Sequence, residues 1–275
     1  RDSSVTGVQT CALPIFLVVA SIELGYRMGH RSHRRSAEEK ESPVSAIAGS
    51  VLGLLAFMLA FTFGLVSNRY DAKKTLVREE ANAIGTAWLR ADLLPAGDRA
   101  EAQELLREYL ELRLEFVQSK KFEADKLALA LAESTRIQNR LWGMAIAEAP
   151  PGPMNPNMAA LYLDALNRVF DLGALRKAVG SQARVPASIW FALSALMVLG
   201  MMSVGYQTGV SGSRRSNARV ILALSFSLVI ALIIELDRPD SGIIRVSQQP
   251  QIDLLNDMGG PTSAANLPSP SKHSQ

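Results

Sequence analysis

The sequence predicts an all-α integral membrane protein with four transmembrane helices, the first one truncated, and a helical extramembrane domain between the second and third. Three observations carry this. Four apolar runs stand apart in a chain of 275 residues that is 48% hydrophobic. The segments between them repeat their apolar side chains at the three- and four-residue spacing of amphipathic helices. Before Gly242, no stretch alternates apolar and polar residues strongly enough to read as a strand.

The second run is the one around which the chain is organised. Ala46–Val66 holds 21 residues without a charge, long enough at about 1.5 Å per residue to cross a hydrocarbon core of roughly 30 Å. The residues that follow, as far as Leu94, are charged, helix-favouring and free of Pro. One long helix therefore spans the membrane and projects as an amphipathic stalk. Small residues stripe its membrane half: Gly49 and Gly53 form a GxxxG pair, and Ala56, Ala60 and Gly64 repeat every four. That spacing lets another helix approach closely in lipid. Beside it runs a bulky stripe of Phe57, Phe61 and Leu65, which can pack against a neighbour or narrow a pore.

The first run, Phe16–Tyr26, has only 11 residues and reads as the C-terminal half of a membrane helix whose beginning is missing. Residues 1–15 resemble translated sequencing-adapter read-through, so we expect them, with the single cysteine Cys11, to be foreign to the fold. Arg27–Ser42 reads as a basic loop. His30 and His33 lie three apart in it with no third ligand type nearby, which favours solvated histidines over a metal site.

Pro43 suits the start of the long helix, and Pro95-Ala96-Gly97 breaks the chain after it. A helix opens at Asp98 with Glu101 as a capping-box partner and buries Leu105, Tyr109, Leu112 and Phe116 with Leu106, Leu110 and Val117. The next, about Phe122 to Glu148, turns Leu127, Leu131, Ile137, Leu141 and Ala145 inward. Asn155-Pro156 caps another that runs to about Gly173 and buries Leu161, Ala165 and Val169. Ser188–Tyr206 is the third membrane segment, with Trp190 and Tyr206 at its ends as an aromatic belt would place them. Gln207–Asn217 is a polar loop. Val220–Leu236 is the fourth segment, ended by Asp237-Arg238-Pro239. Ile243–Val246 suggests a short strand.

Several classes of function are disfavoured. The net charge of +3 reflects basic residues beside the apolar runs, as membrane orientation requires, and no basic stretch interleaves with aromatics as a nucleic-acid surface would. No GxSxG, P-loop, HExxH or CxxC occurs, so neither an enzyme nor a cofactor or metal site is expected. Glu79, Glu80, Glu101, Glu104, Glu108, Glu111 and Glu115 interleave with Lys and Arg at helical spacing, which reads as a solvated face. No charge lies mid-membrane in the second, third or fourth run, against an ion-coupled pump.

Two segments carry a family resemblance. FMLAFTFGLVSNRYDAKKTLVREEANAIGTAWLRADLLP, and ELDRPDSGIIRVSQQPQIDL at Glu235–Leu254, resemble the two signatures of a bestrophin-like family of bacterial membrane proteins of unknown function. Its remote relatives, the true bestrophins, are pentameric anion channels with a hydrophobic pore neck on the second membrane helix. The resemblance implies a homo-oligomer in the lipid bilayer of a bacterial inner membrane, conducting anions, with Phe57, Phe61 and Leu65 at the neck. The alternative is a non-conducting scaffold or sensor whose helical domain binds a partner. Glu79, Glu80, Asn82 and Arg90 lie in the first signature, and Asp237, Arg238, Gln248 and Gln249 in the second. We expect the latter to pack the tail on the stalk helices through hydrogen bonds. Positive-inside counting puts the two short basic loops in the cytoplasm and the helical domain in the periplasm; the resemblance implies the opposite orientation.

The expected organisation is thus a foreign segment at 1–15, two membrane helices over 16–66, a helical domain over 67–186, two more spans over 187–236, a signature tail at 237–258 and disorder over 259–275.

Overall fold

The computed structural model describes residues 3–35, 41–118, 124–149, 152, 154–182, 185–211, 218–237 and 244–259. Eight α-helices account for nearly all of them: α1 (Ser3–Arg35), α2 (Glu41–Arg90), α3 (Ala96–Gln118), α4 (Ala124–Glu148), α5 (Pro156–Gln182), α6 (Ala187–Val210), α7 (Ala218–Asp237) and α8 (Gln249–Gly259), with a 3-10 turn at Ala91–Leu93. Among the described residues there is no strand. The all-α class is as expected, and Ile244–Val246 is irregular coil instead of a strand. Ile243, the first residue of the expected strand, lies outside the described residues, and three residues with no partner strand cannot satisfy a ladder, so β-branched composition alone does not make one.

Two helical stretches among the described residues are long and apolar enough to cross a membrane, Pro43–Leu93 and Ala187–Val210. The 50-residue α2 confirms the absence of a break between the apolar and charged halves of that region. Several boundaries differ from expectation, among them the end of α5, which runs past Gly173 to Gln182, and the start of α2, which lies at Glu41 ahead of Pro43. The basic segment after Tyr26 is helical to Arg35, and α6 runs past Tyr206 to Val210, because neither stretch contains Pro and charge alone does not stop a helix. Helix α3 starts two residues before Asp98: Pro95 O accepts from the Asp98 and Arg99 N–H groups, so the Pro95 turn itself opens it.

The chain folds as two compact units. The first comprises Arg1–Ala72 and Gln182–Val246. Its core joins Val18 and Ile22 of α1, Leu55, Leu59 and Val66 of α2, Leu193, Met197 and Met201 of α6, and Ile230 and Ile233 of α7. Helix α1 lies along α6 and touches α7. The close fit of α1 to α6 comes from glycine. A Cβ on Gly25 would stand 2.0 Å from Met202 O, and one on Gly29 2.2 Å from Tyr206 O. In return, Gly205 would meet Ile22 O at 2.1 Å and Gly209 would meet Tyr26 O at 2.5 Å. The two GxxxG pairs, Gly25/Gly29 and Gly205/Gly209, thus face one another backbone to backbone, the arrangement small residues permit in membrane helices.

The second unit comprises Lys73–Ser181 and Ser247–Gln275. Its core is built on the inner stripe of α2, Leu76, Ala83, Ile84 and Ala87, continued by Ala91 of the 3-10 turn, against Leu105, Leu106, Tyr109 and Leu110 of α3, Ile137 and Leu141 of α4, and Tyr162, Leu166 and Val169 of α5. On α5, Ala165 and Val169 are buried as expected but Leu161 is not. Leu161 is exposed while Tyr162 is fully buried, because the inward face runs Tyr162, Ala165, Leu166, Val169, Leu172 and a neighbour of Tyr162 points about 100° away. The side chains of Leu127, Phe116 and Val117, residues 260–275 and Arg238 lie outside what is described.

Candidate functional site

The stripe of bulky residues on α2 divides. Phe57 is 64% exposed and Phe61 58%, whereas Leu65 packs at the edge of the core of its unit. The reason is helical rotation. Each step of four residues advances about 400°, so the side chain drifts roughly 40° per step, and two steps carry the stripe from the open face to the flank of Leu55, Leu59 and Val66. Gly49, Gly53, Ala56 and Ala60 are exposed with the phenylalanines. A Cβ placed on Gly49, Gly53 or Gly64 would meet nothing within 4 Å. Within one chain, then, the expected small-residue stripe of α2 is approached by no other helix among the described residues. Close approach happens at the α1–α6 glycines, which sequence reasoning passed over because Arg27 and Arg31 made their neighbourhood look like a loop.

In the second unit, Glu80 does not lie on a solvated face with the other carboxylates. It is fully buried. It sits four residues from both Leu76 and Ile84 on the inner stripe of α2, so the helix that buries those side chains buries Glu80 as well. Arg113 of α3 brings its Nε to 3.0 Å from Glu80 Oε1, Arg176 of α5 donates Nη1 to Oε2, and Gln251 of α8 donates Nε2 to the same oxygen at 2.8 Å. The second nitrogen of the Arg176 fork, Nη2, donates to Gln248 Oε1 at 2.5 Å. One carboxylate thereby ties α2, α3, α5 and α8 together. Among the described residues, Glu80 Oε1, Arg113 Nε and Gln251 Oε1 are buried without a hydrogen-bond partner, so Arg113 faces Oε1 through charge alone, and removing either partner would leave an uncompensated buried charge. Gly173 makes room for the cluster: a Cβ there would come 2.6 Å from the Tyr109 hydroxyl and 3.8 Å from Glu80 Oε1. Tyr109 has its pKa pushed up, mainly by burial.

The remaining signature residues make local contacts. Arg90 Nη1 donates to Leu161 O at 2.6 Å and to Asp164 at 3.3 Å. Glu79 stands 4.0 Å from Arg168, and Asn82 is exposed. Gln249 bonds Asp253 one turn on, and its N–H is accepted by Ser247 Oγ. That hydroxyl helps open α8, an 11-residue helix in which Pro250 occupies the first turn, where its missing N–H costs nothing. Asp237, in the first unit, is buried and accepts the Val185 N–H at 2.9 Å, tying the end of α7 to the entry of α6. The solvated reading holds for Glu104, Glu111 and Glu115, which are exposed. Glu101 and Glu108 pin α3 to α4 through Arg140 at 2.6 Å and Arg136 at 3.3 Å, and the Arg140 hydrogen bond holds the Glu101 carboxyl below its ordinary pKa. Among the described residues no group of three His, Cys, Asp or Glu could hold a metal ion.

The model of the bestrophin-like domain matches residues 14–251 of the chain. Among solved structures, a crystal structure of a bacterial bestrophin homolog from Klebsiella pneumoniae, carrying a point mutation, matches with a TM-score of 0.61 at 13% sequence identity. The match covers 92% of this chain and 98% of that one, and at that identity it speaks for the fold alone. No curated protein matches the chain.

Proposed function

The chain belongs to the bestrophin-like family, and from that premise we propose that it is a multi-pass membrane protein that assembles as a homo-oligomeric anion channel, with Phe57 and Phe61 narrowing the conducting path. It crosses the bilayer of the bacterial inner membrane four times, through α1, α2, α6 and α7. It is not an enzyme and takes no cofactor.

One observation carries the reading. Phe57 and Phe61 stand open on the face of α2 opposite Leu55 and Leu59, whose side chains are at most 4% exposed. Two phenylalanines a turn apart on an apolar helix require lipid, another helix or further copies of the same helix to cover them. Copies arranged about an axis would ring the path with aromatic side chains, and a ring of that kind gates by dewetting. Leu65, turned to the flank, would lie at the edge of such a neck. The small residues Gly49, Gly53, Ala56, Ala60 and Gly64 would let neighbouring helices approach closely.

The same open glycines support a second reading, a non-conducting scaffold in which the α2 face receives the helix of a different membrane protein. Reconstitution of the purified full-length protein in a planar bilayer under a salt gradient separates the two. The channel gives current that reverses near the anion equilibrium potential. The scaffold gives a stable assembly without current.

A further inference from the structure

In the second unit, nine arginines are described, and eight stand within 4.0 Å of a carboxylate: Arg90 with Asp164, Arg99 with Asp92, Arg107 with Glu111, Arg113 and Arg176 with Glu80, Arg136 with Glu108 and Glu133, Arg140 with Glu101, and Arg168 with Glu79. Most of those partners are half-open surface side chains, so the unit pairs its arginines even where solvent would serve. Arg78 is the exception among the described residues. It is exposed on α2 and reaches no carboxylate.

The sequence around it explains why. Side chains three and four positions away share a helix face, and those positions hold Lys74, Thr75, Ala81 and Asn82. None is acidic. Glu79 and Glu80 are adjacent in sequence but point elsewhere: Glu79 towards Arg168 and Glu80 into the buried cluster. The open strip Asp71, Lys74, Arg78, Asn82 therefore presents two cations and an amide with one carboxylate at its start; Asp71 lies seven positions from Arg78 and does not pair with it. Arg78 also stands 21 residues beyond Phe57 on the same helix (78 − 57).

We propose that Arg78, assisted by Lys74, is a specificity-determining residue for small inorganic anions such as chloride, contributing one guanidinium per copy to a ring along the conducting path. This rests on the channel reading of α2. Rings of Arg or Lys are what favour anions over cations in a pore, and a guanidinium with no carboxylate in reach raises the local concentration of counter-ions. A paired arginine could do neither, because its carboxylate would cancel the field.

The test uses the full chain in planar bilayers under a tenfold NaCl gradient, reading the chloride-to-sodium permeability ratio for wild type, R78Q, R78K and R140Q. Arg140 is the control, an exposed arginine paired with Glu101. We expect R78Q to assemble like wild type by size exclusion and to lower the ratio by about tenfold at low salt. The loss should shrink towards 1 M salt, where the screening length is about 3 Å. R78K and R140Q should keep the wild-type ratio. R78Q conducting with an unchanged ratio would overturn the inference and leave the channel standing. Wild type without current in any salt would overturn the channel reading and this inference with it.

Discussion

Gln251 donates a 2.8 Å hydrogen bond to the carboxylate of Glu80, a residue 171 positions earlier in the chain, and both side chains are fully buried. The same carboxylate faces Arg113 and Arg176, which are only 15% and 13% exposed. Removing the anion would leave two largely desolvated guanidiniums without a counter-charge. Glu80→Ala should therefore destabilise the protein by about 3–5 kcal/mol, and Gln251→Ala by about 1–3 kcal/mol, the cost of one unmade buried bond. Denaturant unfolding in detergent reads both. A Glu80→Ala variant within 1 kcal/mol of wild type, a bound set by the ordinary worth of an exposed pair, would show that the cluster holds nothing together.

The α1–α6 contact gives a prediction with its own control. Gly25→Ala and Gly205→Ala each put a methyl about 2 Å from a backbone oxygen, at Met202 and Ile22, and a backbone cannot rotate aside as a side chain can. Each should cost at least the 1–3 kcal/mol typical of overpacking and lower the melting temperature. Gly143→Ala on α4, where the new methyl meets nothing within 4 Å, should leave the protein at least as stable, since Ala favours a helix interior over Gly. Equal effects from all three would mean the glycines of α1 and α6 are not in close contact.

Alkaline pH should weaken the second unit through Tyr109. Its pKa is raised above the ordinary tyrosine value by burial, so its contribution is fully present below about pH 10 and is lost as pH rises through the folded-state value. Tyr162 is displaced in the same direction for the same reason. Tyr109→Phe, which has no hydroxyl to ionise, should lose less stability than wild type between pH 9 and pH 11, a window about one unit either side of the ordinary tyrosine value. Parallel stability-against-pH curves for the two proteins would contradict this.

The helical class and the long α2 were legible because apolar runs and 3.6-residue periodicity report directly on helices. The site was legible only in part. Glu80 could have been found from its position between Leu76 and Ile84, but the surrounding Lys and Arg residues made a solvated face the natural reading. Its partners were beyond reach, since Gln251 and Arg176 meet it through tertiary folding and no local spacing encodes that. The GxxxG pairs failed differently. Gly25/Gly29, Gly49/Gly53 and Gly205/Gly209 carry the same pattern, and which of them meet depends on the faces that neighbouring helices present. On α5 the expected Ala165 and Val169 are buried, and only at the start of the stripe does Tyr162 take the inward place that Leu161 was expected to fill.

The central claim is that Phe57 and Phe61 line a conducting path. In the single chain both are exposed, so replacing them with Ala leaves no cavity in the fold of one copy, unlike the loss of a core Phe at about 3–5 kcal/mol. The most direct measurement is bilayer current beside the size-exclusion profile for wild type and the F57A/F61A double variant. The double variant should remain an intact oligomer and conduct more, since a wider and wetter constriction opposes ions less. A wild type that carries no current in any salt, with a double variant that merely dissociates, would contradict it and leave the aromatic pair as packing between membrane helices.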